Sequence, residues 1–219
     1  MPRRIQALSV FLLNLLPVAL LAQTTAPQTM MSEDGKYALK IDAQHHRLQA
    51  IDLPTNTIVR ELNLHNKDGK LATVSALYRN TQRQSFIVVF KEFAELWELS
   101  YKPKSEPVYQ GWVHDYQMGE GIADTRAFAA RKTPLELSLD CFIFDATGNY
   151  AAGADPHGKL QIINLDIRRK IAELQFSHPV FPCESSTENT GSTTVLHLKT
   201  RDDNQIILID MKTGKHLTP

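Results

Sequence analysis

The sequence has no surplus of positive charge, and this absence excludes one class of partner. Lysine and arginine together number 24, aspartate and glutamate together also number 24, and the formal net charge of the 219 residues is zero. Domains that bind nucleic acid carry a basic surplus, because lysine and arginine neutralise the backbone phosphates. Removal of an N-terminal segment containing Arg3 and Arg4 would make the remaining chain slightly acidic. The composition therefore predicts no nucleic-acid partner.

Cysteine is scarce, and the pattern of the cysteines excludes two kinds of metal or cofactor site. Cys141 and Cys183 are the two cysteines, and no Cys-x-x-Cys-His motif is present, which excludes a covalently attached c-type heme. Two cysteines at this spacing cannot form a zinc knuckle. In an exported protein they could form a disulfide that stabilises the fold by roughly 3–4 kcal/mol. The alternative is two separate buried thiols, and the sequence leaves both open.

The common catalytic motifs are also missing. The sequence contains no Gly-x-Ser-x-Gly, no His-Glu-x-x-His and no glycine-rich phosphate loop. These motifs place a nucleophile, a metal or a phosphate group in hydrolases and nucleotide-dependent enzymes. The sequence gives no support for an independent hydrolase or nucleotide enzyme.

Residues 1–22 have the composition of a secretory signal peptide. A short basic start precedes an apolar run that ends at the small residue Ala22. The alternative is a membrane anchor, but a spanning helix needs about 20 apolar residues, and Asn14 and Pro17 interrupt this short run. We therefore expect cleavage near Ala22, export to the periplasm and a linker over residues 23–31. No later segment is expected to span a membrane.

From residue 32 onward the chain repeats a unit of short alternating strands and turns. The second strand of each unit ends at a polar residue, and these residues are Asp52, Ser100, Asp166 and Asp210. Apart from one longer interval they are about 44 to 48 residues apart, and repeats of this length made of short strands are typical of propeller blades. The sequence therefore predicts an all-β, propeller-like domain of about four blades over residues 32–219.

The most unusual segment, residues 85–123, joins a strand pattern to a polar, aromatic and glycine-containing run. The run 113–122 has neither a helical nor a strand period, and a loop rich in such groups is a common place for function. A carboxylate beside an imidazole sets its tautomer and raises its pKa, which suits a proton donor or a contact with a cofactor acid group. The alternative is an exposed loop histidine. The candidate residues of this run are His114, Asp115, Tyr116 and Glu120.

The segment resembles the heme d1-binding β-propeller family, which comprises the d1 domain of cytochrome cd1 nitrite reductase and relatives in heme d1 biosynthesis. The resemblance extends over residues 32–210, is closest over 85–123 and 137–174, and is nearer to the biosynthetic branch than to the reductase. It implies a ring with heme d1 at its hub. It also implies that the partner is a tetrapyrrole or a protein carrying one.

The resemblance also assigns roles to particular residues. It implies that the segment around His114 holds the cofactor and that His178 and Cys183 are the groups nearest to the place of a distal histidine. Lys91 and Arg131 could meet cofactor carboxylates, but the alternative of solvated surface charges is favoured for both. The iron-ligating histidine of the family belongs to a blade that would precede residue 32, and the metal ligands of this chain are therefore left unassigned. Without that histidine and the c-type heme, a self-sufficient nitrite reductase is not expected.

Two functions from different classes follow. The first is a periplasmic module that binds a tetrapyrrole or takes part in the maturation of heme d1 or nitrite reductase. The alternative is a degenerate propeller that serves as a protein-interaction module without a cofactor. Because the resembled ring has eight blades, four blades predict half a ring completed by a second copy, or an open arc whose edge attracts another chain.

Overall fold

The protein consists of four antiparallel sheets, each with four strands in chain order, and each sheet is one blade of a propeller. The structure is a computed structural model and describes residues 28–65, 69–92, 94–109, 123–139, 141–191, 193–200 and 205–218. The predicted all-β, four-bladed architecture is confirmed. Within the described residues no helix is long and apolar enough to cross a membrane.

The sixteen strands divide evenly among the blades. Blade 1 contains β1 (Thr29–Met31), β2 (Tyr37–Asp42), β3 (Arg47–Asp52) and β4 (Thr57–Asn63). Blade 2 contains β5 (Val74–Asn80), β6 (Ser85–Phe90), β7 (Glu95–Ser100) and β8 (Ala130–Pro134). Blade 3 contains β9 (Cys141–Phe144), β10 (Tyr150–Ala154), β11 (Lys159–Asn164) and β12 (Arg169–Gln175). Blade 4 contains β13 (Ser186–Thr190), β14 (Thr193–Lys199), β15 (Ile206–Asp210) and β16 (His216–Leu217).

The blades stack through the alternating side chains of their central strands. In β6, Phe86 and Val88 pack towards blade 1, whereas Ile87 and Val89 pack towards blade 3, and all four are fully buried. A strand covered on both faces is apolar at successive positions, which is why β6 reads as a continuous apolar run. A third cluster contains Leu160 of blade 3 and Leu196 of blade 4 and packs these two blades together.

Blades 1 and 4 each keep one face free of the three apolar clusters. In the part of the chain that the structure describes, no hydrophobic cluster joins blade 4 to blade 1. The free face of blade 1 includes Met31 and Ile58, which are 51% and 52% exposed, and that of blade 4 includes Ile206, which is 61% exposed. The described blades therefore form a row with two uncovered ends.

Each blade has four strands, one more than the three-strand repeat predicted from the sequence. The additional strand is the first of each blade, and β1 lies within the predicted linker 23–31, so the sheet begins before residue 32. These strands were hard to foresee because β1 has three residues and β13 reads Ser-Thr-Glu-Asn-Thr, with little apolar alternation. Tertiary contacts with neighbouring blades, such as those between β1 and β5, hold them in place.

The turn after the third strand has the same construction in all four blades. Each turn begins with a side chain that accepts backbone N–H groups, as Asp52 does from Thr55 at 3.0 Å and Asp210 does from Lys212 at 2.9 Å. Such side chains cap turns locally, which is why the polar residue recurs. The capping residues are Asp52, Ser100, Asn164 and Asp210.

One position in this repeat was misassigned from the sequence. Asp166 was expected to end the second strand of its unit, which is the third strand of blade 3. The structure gives that place to Asn164, which pairs with Tyr150 as Asp52 pairs with Tyr37. Asn164 Oδ1 accepts the N–H groups of Asp166 and Ile167 at 2.9 and 3.2 Å. Asp166 therefore lies inside the turn, and its carboxylate is free to contact another blade.

A disulfide joins Cys141 in β9 to Cys183 in a short 3-10 helix, Pro182–Glu184, between blades 3 and 4. The Cα atoms are 5.2 Å apart. Of the two alternatives left open by the sequence, the structure contains the bridge. It attaches the first strand of blade 3 to the segment that leads into blade 4.

Candidate functional site

A charged cleft of about 580 Å³ lies between blades 2 and 3, and we call it the rim cleft. It is formed by the turn after β7, the turn after β11 and the start of β8. Its lining includes five cationic and three anionic side chains, so its formal charge is positive. The cations are Arg83, Lys102, Lys104, Arg131 and Arg168, and the anions are Glu98, Glu106 and Asp166.

A buried ion pair forms the floor of the rim cleft. Glu98 in β7 and Arg83 have side chains that are only 8% and 13% exposed. Arg83 donates to Glu98 through Nε at 2.7 Å and Nη2 at 3.2 Å, and the Ser85 hydroxyl donates to the same carboxylate at 3.0 Å. Two parallel guanidinium bonds fix both side chains, since this geometry is rigid and directional.

The floor extends from blade 2 to blade 3. Arg83 Nη1 donates to Asp166 Oδ1 at 2.5 Å and to Asn149 Oδ1 at 2.9 Å. Arg131 in β8 donates to the backbone oxygen of Asp166 and, at 3.5 Å, to Glu98. Burial lowers the pKa of Arg83, but bonds and charge attraction from Glu98 and then Asp166 outweigh it and raise that pKa above its usual value. Arg83 therefore stays charged and links the two blades.

The two walls of the rim cleft place cations at an uncommon backbone position. Lys104 and Arg168 have φ angles of 66° and 54°, in the left-handed region that side chains other than Gly, Asn and Asp rarely adopt. The same position of the repeated turn holds Asn56 in blade 1 and Gly214 in blade 4, at 51° and 69°. Lysine and arginine thus replace the favoured residues in the two turns that line the cleft.

The segment that contains His114 begins and ends beside this cleft. Val108 and Asp124 form a two-bond antiparallel bridge, with N–O distances of 3.0 and 2.9 Å. Arg126 binds the Asp124 carboxylate at 2.9 Å, and Arg60 of blade 1 binds it at 2.5 Å. Bonds from Arg126 and then attraction by Arg60 hold the pKa of Asp124 well below its usual range. The bridge therefore fixes the base of the insertion against blade 1.

Most of the residues predicted for the site lie outside the described part of the chain. These are His114, Asp115, Tyr116 and Glu120, within residues 110–122. His178 is described, is exposed and lies in the connection between β12 and β13. Its carbonyl oxygen is next to Gly158, where an added Cβ would be 2.4 Å away.

The structure separates His178 from the rim cleft. His178 is near the Lys159 end of β11, whereas the turn with Asp166 and Arg168 follows the Asn164 end. A strand of this length spans about 16 Å. Of the cations proposed for cofactor carboxylates, Arg131 lines the cleft, but Lys91 does not belong to its lining.

Comparisons with known proteins agree with the propeller architecture. No protein-family model matches the chain. A curated relative, dihydro-heme d1 dehydrogenase of Pseudomonas aeruginosa, is 25% identical over 148 residues, which cover 67% of this chain and 26% of the relative. A solved structure of dihydro-heme d1 dehydrogenase NirN in complex with DHE superposes with a TM-score of 0.65 and 22% identity, covering 86% of this chain and 36% of that chain.

Both comparisons agree with the resemblance to the heme d1 propeller family. The chain spans about a quarter of the length of the curated relative that it matches. The Cps50 (Swd1) β-propeller domain of Myceliophteria thermophila is less similar, with a TM-score of 0.44 and 14% identity over 82% of this chain and 49% of that chain.

The described lining of the rim cleft fits acidic groups, such as those that a tetrapyrrole carries, better than a metal ion. The cationic walls of the rim cleft suit carboxylates, since ammonium and guanidinium groups form charge-assisted bonds with them. No histidine occurs in the described lining of the cleft. Among all described residues, no group of three or more histidine, cysteine, aspartate or glutamate side chains could hold a metal ion. An axial iron ligand is thus not found in the described cleft.

The residues that build the cleft were not predicted from the sequence. Arg83, Glu98 and Asp166 are far apart in the chain, and the first and last are separated by 83 positions, so no local pattern connects them. Lys104 and Arg168 could have been found by aligning the sequences of the four turns with one another. They occupy the position where blades 1 and 4 have asparagine and glycine.

Proposed function

We propose that the chain is a periplasmic binding module that holds a tetrapyrrole of the heme d1 type, or a protein carrying one, and serves heme d1 or nitrite reductase maturation. The observation that supports this most directly is the 25% identity with dihydro-heme d1 dehydrogenase over 67% of the chain. The solved relative was captured in complex with DHE. The signal-like residues 1–22 support export.

Two parts of the chain would share the work of binding. The segment around His114 supplies an imidazole beside the Asp115 carboxylate, a pair that can exchange a proton or contact an acid group. The cationic rim cleft lies at the base of that segment. Heme d1 would supply the redox chemistry when bound, whereas these residues would orient it and neutralise its acid groups. This binding role does not require the chain to act as a nitrite reductase by itself.

Mixing the purified chain with heme d1 is expected to change the absorption spectrum of the cofactor, with weak binding. His114→Ala is expected to shift that spectrum and to weaken binding about tenfold, equivalent to about 1.4 kcal/mol. His157→Ala is the matched control, because His157 is an exposed histidine in the β10–β11 turn. Binding unchanged by His114→Ala would place the site elsewhere. No spectral change at any protein concentration would contradict the proposal.

A second candidate function is a protein-interaction propeller without a cofactor, and the free faces of blades 1 and 4 favour it. Met31, Ile58 and Ile206 are exposed by half or more on these faces. The outer face of blade 1 also has a polar strip in which Glu61 contacts Arg47 and Gln49. Contiguous apolar patches on an exposed sheet face mark sites of protein–protein interaction. A second copy of this chain is the proposed occupant, joined blade 4 to blade 1.

Light scattering at micromolar concentration is expected to give a mass at least twice that of the monomer. Ile206→Lys should lower the apparent mass, because it places a charge in the centre of the proposed contact. Ile167→Lys is a control, since Ile167 is 58% exposed but lies in the turn between β11 and β12 of blade 3, outside the free faces of blades 1 and 4. A monomer at every concentration would contradict self-association.

A further inference from the structure

The rim cleft contains more positive charge than its own carboxylates neutralise. Glu98 and Asp166 are bound by Arg83 and Arg131 in the floor. Within the described residues, Lys102, Lys104 and Arg168 have no ion pair, and Glu106 is the remaining carboxylate of the lining. An excess of unpaired cations around a concave surface attracts anions and raises their local concentration.

The backbone gives a second, independent indication. A non-glycine residue in the left-handed region costs about 1 kcal/mol or more. His46, Gln84 and Phe128 also adopt this conformation, but Lys104 and Arg168 are the two such residues that line one cleft. In blade 4 this position requires glycine, because a Cβ at Gly214 would be 2.0 Å from the Cβ of Ala172. Blades 2 and 3 instead hold Lys104 and Arg168, on facing turns of one cleft.

We propose that the rim cleft binds the carboxylate groups of an acidic ligand, with Lys104 and Arg168 as the recognition groups on its two walls. The Arg83–Glu98 pair and Arg131 form a fixed floor that keeps the walls apart. Carboxylates of this kind occur on the side chains of a tetrapyrrole and on free organic polyacids. The inference rests on the proposed function only if the bound carboxylates belong to a tetrapyrrole.

The test uses two acidic probes and the full chain. Citrate represents a free polyacid, and coproporphyrin represents a metal-free tetrapyrrole whose acid groups are propionates. Lys104→Asn and Arg168→Asn remove the charges while keeping the turn, because Asn56 adopts the same conformation at the equivalent position. Lys215→Asn is the control, since Lys215 is an exposed cation beside the corresponding turn of blade 4. Calorimetry or fluorescence measures binding, and circular dichroism checks the fold.

Each cleft variant is expected to weaken binding about fivefold and the double variant about twentyfold, whereas Lys215→Asn should change it less than twofold. Higher ionic strength should weaken binding of both probes, because the cleft is open to solvent. If the cleft variants weaken the binding of both citrate and coproporphyrin, the result supports a tetrapyrrole as the source of the carboxylates. Citrate binding alone, lost in the double variant, supports the cleft with a free polyacid and contradicts the proposed function.

Two results would overturn the inference. Coproporphyrin binding that is unchanged in the double variant would leave the proposed function intact and place recognition outside the cleft. Failure of the folded wild-type chain to bind either probe would contradict both the cleft and the tetrapyrrole proposal. The two hypotheses therefore fail in different ways.

Discussion

Reduction of the Cys141–Cys183 disulfide is expected to lower the melting temperature of the protein by about 10 °C. The bridge closes a loop with a sequence separation of 42, and in the chain-entropy model such a loop contributes about 4 kcal/mol to the free energy of unfolding. The effect should be large because the bridge also connects the first strand of blade 3 to the segment that precedes blade 4. Thermal unfolding followed by circular dichroism, with and without a reductant, measures it.

The double variant Cys141→Ser, Cys183→Ser provides the control. It should melt at the temperature of the reduced wild type and should not respond to reductant. The Sγ of Cys141 also accepts the N–H of Cys183 at 2.9 Å, and serine retains a hydroxyl that can accept this bond. Identical melting of oxidised and reduced wild type would show that the bridge does not stabilise the fold.

Glu98→Ala is expected to destabilise the protein by about 3 kcal/mol, which corresponds to a fall of about 9 °C in melting temperature. The loss is large because the Arg83 guanidinium, 13% exposed, would remain buried without its main partner. Ser85 and Arg131 would each lose a bond to the same carboxylate. Removing one member of a buried ion pair costs more than the pair contributes, since the remaining charge is left desolvated.

Glu61→Ala is the matched control for this variant. Glu61 also accepts a cross-strand arginine bond, from Arg47 at 3.3 Å, but both side chains are more than 40% exposed. An exposed pair contributes only about 0–1 kcal/mol, because water screens it. Equal destabilisation by Glu98→Ala and Glu61→Ala would refute the structural role assigned to the cleft floor. A denaturant titration at neutral pH compares the two variants directly.

Local patterns allowed the blades to be predicted but not their complete sheets. The strand β3 alternates in hydrophobicity, β6 is a continuous apolar run, and the turns after β3 and β15 begin with capping aspartates, so these features are visible over a few residues. The first strands of blades 1 and 4 were not predicted, because β1 and β13 are held by contacts with other strands and blades rather than by their own pattern. The resemblance in residues 85–123 points to the heme d1 propeller family but does not reveal the cleft.

The sequence by itself determined the all-β repeat, the capped turns and the resemblance to the heme d1 propeller family, because each depends on residues close together in the chain. The tertiary structure decided which charges meet. Arg83 contacts Asp166 across 83 positions, and Asn164 rather than Asp166 ends its strand, which leaves the Asp166 carboxylate available to Arg83. The rim cleft exists because stacking of blades 2 and 3 brings two turns together, and that stacking depends on apolar contacts distributed over both sheets.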